Sequence, residues 1–177
     1  EALHTLEDRT VALDWSVIHE ELIFELGEER LKGLEIDPVP IGTASLGQVH
    51  RATRLSDGKQ LCLKVQYPGV ADAVDTDLES VAKLLKLARL VSFGPDFDEW
   101  LEEVRQMMHR EVNYTLEAST TMHFRQMLQN DERYVVPEVF LEYSSNHVMA
   151  TSFEEGISIA RPEVAALSQP RRNLLAQ

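Results

Sequence analysis

One cysteine, Cys62, occurs among 177 residues, so an intrachain disulfide framework is excluded and a reducing compartment, cytoplasm or organelle matrix, is expected. No apolar run approaches the roughly 18 residues that a membrane span needs, and no signal-peptide pattern opens the chain. Positive charge is scarce: 17 Lys and Arg stand against 30 Asp and Glu, a formal charge of −13. Such a surface repels phosphodiester backbones and anionic lipid, which argues against general nucleic-acid binding. The six histidines (His4, His19, His50, His109, His123 and His147) are scattered without metal-ligand spacing, and there is no Cys-x-x-Cys, so no metal ligand is assigned. Nor is there a local Ser/His/Asp or Cys/His signature for nucleophilic catalysis.

What is present is one domain's worth of chain, able to bury about 70% of its unfolded surface. Asp14 is a fitting N-cap for a helix carrying Trp15, Ile18, Leu22 and Leu26, with Gly27 as its stop. Asp37-Pro38-Val39-Pro40 breaks any helix and leads into an extended segment. After a loop at 42–47, strands are expected from Gln48 to Arg54 and from Gln60 to Tyr67. The turn Ser56-Asp57-Gly58-Lys59 joins them, because Asp-Gly readily takes the positive φ that tight turns need. Two long helices should follow. The first has an apolar stripe of Val74, Leu78, Val81, Leu85 and Ala88, and the second runs from about Asp98 to Leu128 with Leu101, Val104, Met108 and Val112 buried. Met107 and Met108 are read as core. Val135–Tyr143 and His147–Thr151 read as a hairpin joined across Ser144-Ser145-Asn146. The last residues, with Val164, Leu167, Leu174 and Leu175, read as a helix cut at Gln177, and both ends look like those of a piece of a longer protein.

Chemistry concentrates at residues 42–64. Gly42-Thr43-Ala44-Ser45-Leu46-Gly47-Gln48-Val49 fits G-x-G-x-x-G-x-V with alanine at the middle position. Glycines at its ends let backbone N–H groups approach an anion. One hairpin later, Lys64 lies in the apolar strand Leu61-Cys62-Leu63-Lys64-Val65, an arrangement with which protein kinases hold ATP phosphates. Strand alternation puts Cys62, Lys64 and Gln66 on one face and Leu61, Leu63, Val65 and Tyr67 on the other. A lysine in such a strand needs an acidic partner. Glu111 and Glu117 are both available on the second long helix. Asn113 and Glu117 would share a face about 40° apart and Glu111 would sit about 120° from Glu117, but periodicity does not choose between the acids.

Three ordered motifs, Pro40-Ile41-Gly42-Thr43-Ala44-Ser45-Leu46-Gly47-Gln48-Val49-His50, Leu63-Lys64-Val65-Gln66-Tyr67-Pro68-Gly69-Val70 and Glu111-x-Asn-Tyr-x-x-Glu117-Ala118, closely resemble those of the UbiB/AarF/ADCK atypical kinases, which support ubiquinone biosynthesis. The resemblance covers about Leu6 to Leu175. It implies an α+β, protein-kinase-like N-lobe: an antiparallel sheet with family-specific inserted helices and an alanine-rich loop in place of the glycine-rich one.

Carried over by position, Lys64 would contact the ATP α- and β-phosphates with Glu117 as its ion-pair partner, and Gly42, Thr43, Ala44 and Ser45 would form the loop. Cys62 would line the adenine pocket, and Ala150 to Glu154 would form the hinge. Glu111 and Asn113 would occupy the regulatory Glu-x-Asp motif, with asparagine for its aspartate. Gly42 and Thr43 replace alanines, and Ser152 stands where the hinge often carries an acid.

The resemblance divides one partial domain into an N-terminal helical extension (1–36), loop and lysine strands (37–70), inserted helices and the glutamate-bearing helix (71–130), hairpin and hinge (131–154) and the start of a C-lobe (155–177). It implies ATP or ADP and, in the longer parent, Mg²⁺. No catalytic loop and no Asp-Phe-Gly follow Thr151, so these residues alone should be catalytically silent. Expected partners are nucleotide, quinone-biosynthesis proteins or an isoprenoid lipid, with a homodimer admitted and the parent peripheral to a membrane. The competing expectation is a non-catalytic pseudokinase module that binds a partner protein or isoprenoid lipid through its long helices.

Overall fold

A computed structural model describes residues 12–87 and 95–175. Helix α1 (Trp15–Leu26) and a single turn, α2 (Glu28–Leu31), lead into a four-stranded antiparallel sheet in chain order: β1 (Leu34–Thr43), β2 (Gly47–Arg54), β3 (Gln60–Gln66) and β4 (Val148–Ser152). Between β3 and β4 run α3 (Val70–Leu87), α4 (Pro95–Glu111) and α5 (Tyr114–Leu128). Two short helices, α6 (Pro162–Ala165) and α7 (Gln169–Leu175), end the described chain.

Helix α1 begins where Asp14 turns the chain: its carbonyl accepts from the amides of Val17 and Ile18 at 3.1 and 3.3 Å. It stops at Gly27, whose φ of +78° only glycine adopts cheaply. Ile18, Leu22 and Leu26, one stripe of that helix, pack on Leu61, Leu63, Val65, Val148 and Ala150 to make the main core. The hairpin turn also obeys its sequence, with Gly58 at φ +74° and the Arg54 amide bonded to the Lys59 carbonyl at 2.9 Å. Strand β1 carries Pro38 and Pro40 because it is an edge, and its pairing with β2 slips on both sides of Pro40.

The core face also buries polar groups. Gln48 and His50 are fully buried on β2. Gln48 Oε1 accepts from the Leu13 amide at 2.9 Å, and its Nε2 lies 2.8 Å from His50 Nε2. His50 Nδ1 lies 2.8 Å from the Asp37 carbonyl, which can only accept. The ring is therefore held as the Nδ1–H tautomer, with Nε2 accepting from Gln48. Burial lowers the pKa of His50, and the Trp15 ring covers it at 5.1 Å. This relay pins the start of α1 to β2 and to the β1 edge.

Several expectations fail here for identifiable reasons. The helix expected from Asp98 to Leu128 is two helices. The Asn113 side chain leaves the helical path to cap α5, accepting from the Leu116 amide at 2.9 Å, while the Tyr114 amide bonds the Asn146 carbonyl at 3.1 Å. Asn113 therefore does not share a helical face with Glu117. On α3 the buried positions are Val74 and Ala82, whereas Val81 is half exposed. Ala88 lies outside the described residues. Met107 is likewise half exposed rather than core.

The strand expected over 135–143 is reduced to one bridge, Val139 to Thr151, followed by a 3-10 turn at Leu141–Tyr143. Leu174 and Leu175 are exposed on α7, which residues 166–168 separate from α6. Gly42 and Thr43 close β1, so the loop proper is only Ala44–Leu46.

Candidate functional site

The second face of the sheet is built differently. Strand β3 turns Cys62, Lys64 and Gln66 toward it, opposite the wholly buried Leu61, Leu63 and Val65. Helix α5 lies on this face through Tyr114 and Ala118, which cluster with Met149 of β4 and with Val139. That contact brings Glu117, in the first turn of α5, above Lys64. Lys64 Nζ donates to both carboxylate oxygens of Glu117, at 2.7 and 2.6 Å, across 53 positions of sequence. The same ammonium sits 4.5 Å from the centre of the Tyr114 ring. Geometry thus makes the choice that periodicity left open. Glu111 ends α4 on the far side of the break, exposed, and Asn113 is the cap that starts α5.

The pair's exposure decides what it is for. The Lys64 and Glu117 side chains remain 33% and 42% exposed. Solvent screens such a pair, so its contribution to stability is about 1 kcal/mol or less. The arrangement instead fixes an ammonium group at a defined point on an open sheet face.

Tyr114 and Gln66, neither of which sequence reasoning assigned a role, do the fixing. Gln66 is buried, donates from Nε2 to the Val112 carbonyl at 3.0 Å, and its side chain lies near the Tyr114 hydroxyl. Burial first, and Glu117's charge second, push the Tyr114 phenol up to about 12, so it stays protonated and neutral beside the ion pair. The signal available in the sequence was the tyrosine inside Glu111-x-Asn-Tyr-x-x-Glu117, directly after a capping asparagine.

The loop beside this face is a tight turn in which the Ala44 amide donates to the Gly47 carbonyl at 2.8 Å. Among the described residues the amides of Ser45 and Leu46 donate to no protein acceptor. The two glycines of the loop are not equivalent. A Cβ on Gly47 would come within 2.4 Å of the Val65 carbonyl oxygen and 3.0 Å of the Tyr114 hydroxyl, whereas one on Gly42 would meet open space. Gly47 is needed so that β2, β3 and α5 can approach each other; Gly42 is not needed for packing.

Cys62, one residue pair along from Lys64, is half-buried, and burial pushes its thiol up. It pairs across the sheet with Arg51 and Thr151. At the expected hinge, Ser152 is buried and its hydroxyl is already used, accepting from the Glu138 amide at 2.9 Å and donating to Glu154 at 2.6 Å. The Ser152 and Phe153 amides are bonded to Glu138 and Gln60. On this face the only described carboxylate at Lys64, that of Glu117, has both oxygens engaged, so these residues do not fit as a magnesium cage. They do fit phosphate, with one fixed ammonium and two open amides.

A twisted antiparallel sheet with a lysine in its third strand, ion-paired to a glutamate on the helix across its face, defines a protein-kinase-like N-lobe. Comparisons with known proteins agree. The ABC1 atypical kinase-like domain matches residues 5–177, and the chain belongs to that family. It is 37% identical over 139 residues to the mitochondrial atypical kinase COQ8 of Schizosaccharomyces pombe, covering 78% of this chain and 22% of that protein. To COQ8 of Saccharomyces cerevisiae it is 33% identical over 154 residues, covering 86% of this chain and 30% of the relative. The mitochondrial COQ8B of Danio rerio is 35% identical over 157 residues, covering 88% of this chain and 25% of that protein. The chain thus spans less than a third of the length of these relatives. Among solved structures, the complex of Rv3197 with erythromycin from Mycobacterium tuberculosis superposes with a TM-score of 0.77 at 27% identity, over 98% of this chain and 44% of that one. Among the described residues no helix is long and apolar enough to cross a membrane.

Proposed function

We propose that this chain is the ATP-binding lobe of a UbiB-like atypical kinase or ATPase that supports ubiquinone biosynthesis. The observation that carries the proposal is the Lys64 ammonium, held by both oxygens of Glu117 on the polar face of β3. It lies on the face flanked by the Ala44–Leu46 turn, whose two open amides supply neutral donors for the same phosphates. In this reading Lys64 neutralises the α- and β-phosphates, Glu117 and Tyr114 hold it in place, and residues 42–45 cover the phosphates. Cys62 borders the adenine. Residues 155–177 begin the second lobe, and the Mg²⁺ ligands and the transfer step belong to the longer protein. The ubiquinone role and a mitochondrial or other reducing location are proposed from the family and from the COQ8 relatives.

A second reading has its own support. Leu84, Trp100 and Met107 are exposed on α3 and α4, as they would be in a non-catalytic module whose helices hold a partner protein or isoprenoid lipid. One experiment separates the two: thermal unfolding of the full-length protein with and without Mg-ADP or Mg-ATP. The nucleotide should raise Tm in a concentration-dependent way, and Lys64→Ala should abolish that rise while the unliganded variant still unfolds cooperatively. An unchanged rise in Lys64→Ala removes Lys64 from the site. No rise in the native protein favours the module.

A further inference from the structure

A second cluster of ligating groups shares no residue with the Lys64–Glu117 pair. Glu21 and Glu25 are one turn apart on α1 and so project from the same helical face. His147, immediately before β4, meets them. One donor atom from each of the three lies within 4.8 Å of the other two. His147 Nδ1 is 2.8 Å from Glu25 Oε1, and Glu25 Oε2 accepts from the Ser145 hydroxyl at 2.5 Å. Glu25 therefore has hydrogen-bond partners, whereas the half-buried Glu21 carboxylate, although it feels the charges of Glu25 and His147, makes no hydrogen bond and no close ion pair among the described residues. Half-buried and beside the Glu25 carboxylate, Glu21 is offset by His147 alone, with no hydrogen bond to hold its oxygens.

The same place shows a further unmet group. Glu21, Glu25 and His147 line a cavity of about 130 Å³ together with Tyr67, whose hydroxyl is buried and has no hydrogen-bond partner. That volume holds roughly four water-sized groups. It suits one ion and its remaining ligands.

We propose that Glu21, Glu25 and His147 form a binding site for a divalent transition-metal ion, zinc fitting best, which staples α1 to the turn entering β4. Two carboxylate oxygens and one imidazole nitrogen are a borderline donor set that favours Zn²⁺ over the hard ions Mg²⁺ and Ca²⁺, which prefer oxygen alone. Water, or the Tyr67 hydroxyl, completes a four-coordinate shell. For Nδ1 to take the ion, the ring must carry its proton on Nε2, so the Nδ1–Glu25 hydrogen bond is exchanged for bonds from both groups to Zn²⁺. Ser145, bonded to the outer oxygen of Glu25, orients that ligand.

The test uses the full-length protein, titrated with Zn²⁺ against a chromogenic chelator and, separately, with Co²⁺ read by its visible absorption. One saturable equivalent is expected, with a four-coordinate Co²⁺ spectrum and a Zn²⁺-dependent rise in Tm that equal Mg²⁺ does not reproduce. Glu21→Gln and His147→Gln should each weaken binding by roughly tenfold or more and abolish the cobalt band. If His147→Gln fails to fold, Glu21→Gln decides alone, because Glu21 has no bond to lose. Absence of saturable binding, or stoichiometry and spectrum unchanged in Glu21→Gln, overturns the proposal and leaves His147–Glu25 as a plain hydrogen bond.

Discussion

The two faces of β3 are a residue apart and follow opposite rules. On one, Leu61, Leu63 and Val65 are entirely buried against α1, and the polar groups among them, Gln48 and His50, are paired in a closed relay. On the other, Cys62 and Lys64 are only partly covered, and the Lys64–Glu117 pair stays substantially wet. The first face holds the lobe together through apolar burial, at about 25 cal/mol for each Å² removed from water. The second spends little stabilising energy and instead fixes charges where a phosphate could meet them. Stability and chemistry are thus separated by the two-residue period of a strand.

The largest expected effect breaks this separation where the two faces meet. Gly47→Ala drives a Cβ against the Val65 carbonyl and should destabilise the protein by about 1–3 kcal/mol, whereas Gly42→Ala, facing open space, should leave the denaturation midpoint nearly unchanged. Paired urea titrations of the two variants check this. Equal effects would mean that the loop, rather than the close approach of β2, β3 and α5, explains Gly47.

A smaller effect isolates the core face. The folded-state pKa of His50 is depressed below its ordinary value of 6.5, so the unfolded chain binds the proton more readily. His50 therefore contributes stability in full above about pH 6.5, and that stability is lost as pH falls below it toward the folded-state pKa. Protonation would also set two donors against each other at Gln48. His50→Asn should lower stability at pH 7.5 yet flatten its decline from pH 7 to pH 5.5. An undiminished slope would assign the decline to other groups.

The two faces also differ in how far the sequence disclosed them. Alternation in Leu61–Gln66 announced both, and Asp57-Gly58 and Gly27 announced their turns, because these signals are local. The pairing of Lys64 with Glu117 rather than Glu111 was not readable from periodicity. It depends on the helix break at Asn113, and that break is secured by the long-range bond from Tyr114 to Asn146. Apolar spacing runs on through the break, so a single helix looked equally good. The strand expected at 135–143 fails for a related reason: Phe140 enters the core and the chain then turns at Leu141–Tyr143 instead of continuing the ladder. The meeting of Glu21, Glu25 and His147 needed α1 and β4 side by side, which no motif spacing encodes.

Cys62 offers the most direct test of the central claim that the Lys64 face, not the core face, receives nucleotide. It shares that face, and its half-buried thiol should react slowly but measurably with an alkylating reagent. Mass spectrometry of the full-length protein should show Cys62 labelling strongly suppressed at saturating Mg-ATP, with suppression absent in Lys64→Ala. Labelling of Cys62 that is unchanged by saturating Mg-ATP would contradict the account.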